Sequence, residues 1–155
     1  MKMTLLTILP ILSSILIAVT GSAVEELDIR EAAFRYQFVE RTDGLKTIET
    51  YCLSIGANGN EKNPDDAFMK RFEESTPAVK MVSACNKSGF GVTDKATGKP
   101  GVIIRTEGIK WISETDVEVE GGYFYAGNGG SRETYFLKKI DGKWIVQRHL
   151  IRSIA

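Results

Sequence analysis

Apolar positions recur along the chain with two different periods, near 3.6 residues early on and two residues over the last third. From Glu25 to about Arg41, Leu27, Arg30, Phe34 and Phe38 fall three or four apart with Ala33 beside them. Glu25, Glu26, Asp28 and Glu31 crowd the first turns, where the helix dipole favours negative charge. This spacing predicts a helix with two aromatic rings on its buried face, ended by Thr42-Asp43-Gly44. Thr47 to Ile55 then predicts a strand, with Tyr51, Leu53 and Ile55 on one face and Ile48 and Cys52 on the other. Gly56 to Asn63 is polar and loop-like. Asn63-Pro64-Asp65-Asp66 predicts a helix start with a capping Asn, proline at the first position and acids in the first turn. That short helix turns Ala67, Phe68 and Phe72 inward and stops before Pro77.

The remainder predicts strand after strand: Val79 to Asn86, Val102 to Ile112, Asp116 to Ala126, Arg132 to Ile140 and Lys143 to about Arg152, with Lys87 to Gly101 a loop rich in glycine and lysine. Asp141-Gly142 is a favoured two-residue hairpin turn, and Gly127-Asn128-Gly129-Gly130 a longer one. The first turn sets a register. Lys139 faces Trp144, Leu137 faces Val146, Tyr135 faces Arg148 and Glu133 faces Leu150. The other face pairs Lys138 with Ile145, Phe136 with Gln147 and Thr134 with His149. A bulge at Gly121-Gly122 would bring Val119 beside Leu137 and Glu118 opposite Lys138. The expected result is one concave apolar face carrying Val117, Val119, Phe124, Leu137, Trp144, Val146 and Leu150. Glu133, Tyr135 and Arg148 are its polar groups, and the opposite face is charged and wet.

Met1 to Ala23 changes the picture of where this domain works. Lys2 supplies a positive start, Leu5 to Val19 is apolar apart from Thr7, Pro10, Ser13 and Ser14, and Thr20-Gly21-Ser22-Ala23 offers small residues for cleavage. The apolar stretch holds a proline and falls short of the roughly 20 residues a membrane span needs. The expectation is a cleaved signal peptide over residues 1–23, and a secreted or periplasmic single domain over 24–155 with no stable membrane association after cleavage. Without Lys2, 19 basic side chains face 20 acidic ones, a balance that gives nucleic acid no basic face to meet. Two cysteines, Cys52 and Cys85, most simply pair in an oxidising compartment. No CxxC spacing exists and the chain has one histidine, which argues against a redox or metal-binding pair.

An amphipathic helix, a short second helix and a long antiparallel meander ending in Asp141-Gly142-Lys143-Trp144-Ile145-Val146 resembles the nuclear transport factor 2-like superfamily, cystatin-like α+β cones whose last hairpin often reads in this way. The resemblance spans about Glu25 to Ile154. It implies an α+β fold in which a curved antiparallel sheet wraps the N-terminal helix, with a pocket between them. Members include isomerases, dehydratases, cyclases, transport factors and exported domains, so the fold leaves function to the site. The chain departs from the pattern in the strand-like Thr47–Ile55, which interrupts the expected pair of opening helices. No catalytic residue carries over by match.

Candidate chemistry is sparse. His149 is expected on the polar face, near the C-terminal end of the last strand, in a surface role. Asp116-x-Glu118-x-Glu120 lines up on one strand face as a solvated row, so no metal site is expected, and no cofactor. Asp65-Asp66 is explained by capping, and Gly127 to Gly130 precedes a strand and so is a turn. Asn86-Lys87-Ser88 fits a glycosylation acceptor. The sharper possibility is a ligand site. An arginine opposite a tyrosine on an apolar surface, Arg148 with Tyr135 and Glu133, suits the carboxylate of an apolar ligand, and Phe34, Phe38, Phe124 and Trp144 could line the pocket. The same residues also suit a structural ion pair and a filled core. Three functions follow: a binding module for a small apolar or anionic molecule, an isomerase- or dehydratase-like enzyme using the same pocket, or an interaction domain that forms a homodimer through the outer sheet face with Phe136 and Ile145 as anchors.

Overall fold

A computed structural model of the protein describes residues 21–44, 47–127 and 129–154, with the side chains of 41–44 outside the description. All but the last three residues of the expected signal peptide therefore lie outside the described residues. Helix α1 (Ala23–Gly44) opens on Ser22, whose Oγ accepts the Glu25 N–H at 3.2 Å. It is followed by β1 (Thr50–Ser54), α2 (Asp66–Met69) with a 3-10 turn at Lys70–Phe72, β2 (Ala78–Met81), β3 (Cys85–Ser88) and β4 (Gly91–Asp94). Four long strands complete the chain: β5 (Pro100–Trp111), β6 (Asp116–Ala126), β7 (Gly129–Ile140) and β8 (Lys143–Ile154). The class is α+β, as expected, with one eight-stranded sheet in the order β2-β1-β5-β6-β7-β8 and the β3–β4 hairpin attached to β5.

The sheet is mixed and open, which corrects the expectation of an antiparallel one. β1 runs parallel to both β2 and β5. Parallel neighbours need a crossover rather than a hairpin, and the segment holding α2 supplies it between β1 and β2. At α2 the cap is two residues later than expected. Asp65 Oδ1 accepts the Phe68 N–H at 2.7 Å, while Asn63 ties to the Ser83 backbone and hydroxyl. Phe68 and Phe72 are buried and Ala67 is exposed. The predicted strand 79–86 is split by a 3-10 turn at Val82–Ala84, and the predicted 87–101 loop contains the β3–β4 hairpin.

Among the described residues, three apolar clusters build the interior. Phe34, Tyr51, Leu53, Phe68, Phe72, Val102 and Ile104 form the first, with Ile48 joining them because the strand's alternation begins only at Thr50. Ile29, Ala33, Val117, Val119, Tyr135, Leu137 and Trp144 form the second. α1 thus feeds both clusters, with Phe34 toward one and Ile29 and Ala33 toward the other. The third gathers Cys52, Cys85, Val92 and Ile103 on the opposite side of β1 and β5, as strand pleating requires. The expected disulfide joins Cys52 to Cys85 there.

Register shifts, present and absent, decide the facing of the long strands. At the final turn Asp141 and Gly142 take φ of 50° and 77°, as a two-residue hairpin needs, and Lys139–Trp144 and Leu137–Val146 pair as expected. Beyond them the register slips, because Phe136 faces Arg148 and leaves Gln147 as the extra residue of a bulge. One extra residue reverses side-chain facing. Arg148 therefore leaves the inner face and stacks over Phe136 at 3.5 Å, and His149 takes its place opposite Tyr135. Glu133 accordingly faces Ile151 rather than Leu150, and Thr134 faces Leu150 rather than His149. Between β6 and β7, Val117 faces Leu137 and Val119 faces Tyr135 without the predicted bulge at Gly121-Gly122. The uninterrupted alternation sends Phe124 to the disulfide cluster and Tyr123 and Tyr125 to the first cluster. In β5, a bulge at Glu107-Gly108 frees backbone carbonyls that Arg30 of α1 satisfies, its Nη1 donating to Thr106 O at 3.2 Å and Glu107 O at 2.9 Å.

Candidate functional site

The row Arg105–Gly122–Arg132 crosses β5, β6 and β7 at a close approach of the strands. A Cβ at Gly122, at φ 140°, would lie 2.1 Å from the Ser131 carbonyl oxygen, and one at Gly121 would lie 2.3 Å from that of Arg105. The two glycines are what allow this approach. Arg105 is only 3% exposed, set in the apolar run Val102-Ile103-Ile104. Its Nη2 donates to the Ser131 carbonyl at 3.2 Å, while Nε and Nη1 are buried without a hydrogen-bond partner among the described residues. Nε lies 3.7 Å from Glu107 Oε1, an ion pair held by the β5 bulge. Burial lowers the Arg105 pKa from its usual value, with Glu107 opposing the shift. Arginine stays protonated regardless, so the molecule holds a desolvated positive charge here.

Ser131 links this guanidinium to a second polar group. Its hydroxyl donates to Glu133 Oε1, and Tyr135 donates to Glu133 Oε2 at 2.8 Å. Tyr135 packs against Tyr36 and His149, and the Tyr36 hydroxyl meets His149 Nδ1 at 2.9 Å. Glu133 and Tyr135 are thus brought together as the sequence suggested, but the arginine attending them comes from β5 and not from β8. His149, assigned to the wet face, is half-buried beside α1. Arg105 was missed. Its only signal is a charged residue inside an otherwise apolar run with a glutamate two places on.

A cleft of about 290 Å³ opens against this crossing, lined by Ala57, Asn58, Arg105, Glu107, Tyr123, Phe124, Gly130, Ser131, Arg132 and Ser153. Of the predicted ligand residues, Phe124 lines it. Glu133 lies one hydrogen bond behind Ser131 and Tyr135 two, and Phe34 and Trp144 are buried in separate clusters. Phe38 stacks on Tyr51 at 4.5 Å. Arg148 lies on the far face over Phe136. Asp116, Glu118 and Glu120 ion-pair with Lys138, Lys110 and Arg132 at the surface, and no cluster able to hold a metal occurs among the described residues. No described helix is long and apolar enough to cross a membrane.

Fold and site together define an α+β protein with a mixed sheet and a buried arginine beside a surface cleft. No family model, curated protein or solved structure matches the chain.

Proposed function

We propose that this chain is an exported binding module of nuclear transport factor 2-like architecture, its sheet curving around α1 as a cone, and that it holds a small molecule in the cleft between β5 and β8. The observation that carries this reading is the cleft itself, about 290 Å³ with a buried guanidinium in its wall. Four strands and the loop after β1 converge on it, which gives a ligand a rigid seat. The space expected under α1 is taken by Phe34, Phe68 and Phe72, whose rings pack 5.3 to 6.3 Å apart. Export is supported by the Met1–Ala23 pattern and by the Cys52–Cys85 bond, since disulfides persist in oxidising compartments. An isomerase-like role would need an unpaired acid at the ligand, whereas Glu133 stands behind Ser131 and Glu107, in the cleft wall, is paired with Arg105.

One observation favours a second reading, a homodimer. β8 is a sheet edge with Leu150, Ile151 and Ile154 at least 42% exposed. Native mass spectrometry of protein from the exported fraction, with a denaturing run beside it, decides between them. Extra mass that leaves on denaturation supports the binding module. A bare mass of twice the chain supports the dimer, and a bare monomer that also takes up no added small molecule overturns both.

A further inference from the structure

We infer that the cleft recognises a small apolar monocarboxylate, with Arg105 as the charge that holds its carboxylate and Glu107 as the built-in competitor for that charge. The inference rests on the binding-module reading and adds the ligand's chemical class.

Three observations carry it. Arg105 is a buried cation with an incomplete set of partners, namely one carbonyl on Nη2 and a carboxylate 3.7 Å away that makes no hydrogen bond to Nε or Nη1. A buried charge left in that state is costly, and an anion brought against it in a low-dielectric wall recovers much of the cost. The charge count then sets the ligand's charge. Arg132 is engaged by Glu120 at 3.0 Å, so Arg105, with Nε and Nη1 unpartnered among the described residues, is the one lining cation left to a ligand, which suits a single negative charge and opposes a dianion. Size and lining set its body. At about 30 Å³ per atom, the share of a liquid water molecule, the cleft holds on the order of ten non-hydrogen atoms. Phe124 supplies a ring for an apolar part, and Asn58 is a polar group available to orient the head.

The test uses benzoate, its neutral isostere benzamide, and inorganic phosphate, titrated into the disulfide-bonded protein by calorimetry and by NMR of the arginine Nε–H resonances. Benzoate is expected to bind at least tenfold more tightly than benzamide and to move the Arg105 Nε–H signal, with phosphate weaker than benzoate. Arg105→Gln abolishes the benzoate preference. Glu107→Gln, which removes the competing charge and leaves the buried cation in place, tightens benzoate several-fold and leaves benzamide unchanged. This second variant keeps the inference falsifiable if Arg105→Gln does not fold. Equal binding of benzoate and benzamide in the cleft overturns the carboxylate assignment and leaves the binding module standing. Phosphate binding more tightly than benzoate also overturns it, in favour of an oxyanion site without an apolar subsite. Binding of none of the three, from protein that also carries no retained mass, overturns the binding-module reading itself.

Discussion

The interior under α1 and the interior at the β5–β7 crossing are equally buried and built on opposite chemistry. Around Phe34 the packing is ring on ring, with Phe34, Phe68 and Phe72 each at most 2% exposed and Phe38 stacked on Tyr51. Around Ser131 the buried groups are Arg105, Glu133, Thr106 and Thr134, each at most 3% exposed. The apolar side gains from non-directional burial and tolerates no void. The polar side gains little net energy per hydrogen bond, but loses heavily if one partner goes. One region therefore holds the fold together, while the other holds a charge in a defined place beside a cleft.

The largest effect that sharpens this contrast is expected on the apolar side. Phe34→Ala removes a ring touching Phe68 and Phe72 and leaves a cavity with little freedom to collapse, costing about 3 to 5 kcal/mol of stability. Urea denaturation measures it, and a loss under about 1 kcal/mol would show the cluster to be loosely packed. Next comes the bond on the other face of β1. Replacing Cys52 and Cys85 together by alanine releases a 33-residue separation, worth roughly 3 to 4 kcal/mol in chain entropy. On the polar side Glu133→Gln keeps shape and loses charge. The hydroxyls of Ser131 and Tyr135 can rotate to serve the amide, so about 1 to 3 kcal/mol is expected. A loss as large as that of Phe34→Ala would mean that the carboxylate, and not the aromatic cluster, anchors this half of the sheet.

Acid should act at the β2–β4 flank. Lys80 Nζ lies 2.5 Å from Asp94 Oδ2, and with the Ala96 N–H on Oδ1 it holds the Asp94 carboxyl at about 2, below its usual 3.8. A carboxyl depressed in the folded state contributes stability above its unfolded value and loses it as pH falls through the folded one. Thermal stability should therefore fall between about pH 4 and pH 2, and Asp94→Asn should flatten that part of the profile. An unchanged profile would place the acid-sensitive group elsewhere.

How much of this could be read in advance follows from the range over which each signal acts. Helix α1, the strands β6 to β8, the turn at Asp141-Gly142 and the cysteine pair are local patterns, and each lies within a few residues of its expected place. The parallel pairing of β1 depends on a crossover through residues 55–77, which no local pattern encodes. Site residues were the least legible, because facing in a strand is a parity and one unpaired residue reverses it. Arg148 and Phe124 were both assigned to the inner face by counting from a turn, and both lie on the other. In one case a bulge was present and not foreseen, in the other foreseen and not present. Arg105 escaped for a different reason, since a charge inside an apolar run is read most simply as an interruption.

Strand parity sets the smallest expected effect and the most direct test of the β8 register. Deleting a residue from the middle of a regular strand sends everything beyond it to the wrong face. Gln147 is exposed, has no partner across β7, and sits between Val146 opposite Leu137 and Arg148 opposite Phe136. Its removal leaves those pairs in place and makes the ladder continuous from Ile140–Lys143 to Glu133–Ile151, with His149 still opposite Tyr135 and within reach of the Tyr36 hydroxyl. The cost should be about 1 kcal/mol or less, in the range of ordinary surface changes. Deleting Ile145, which does pair, with Lys138, should in contrast disrupt the hairpin. If the Gln147 deletion proves the more damaging of the two by thermal melting, β8 is regular, Arg148 faces Tyr135, and the inner face carries an arginine instead of the histidine.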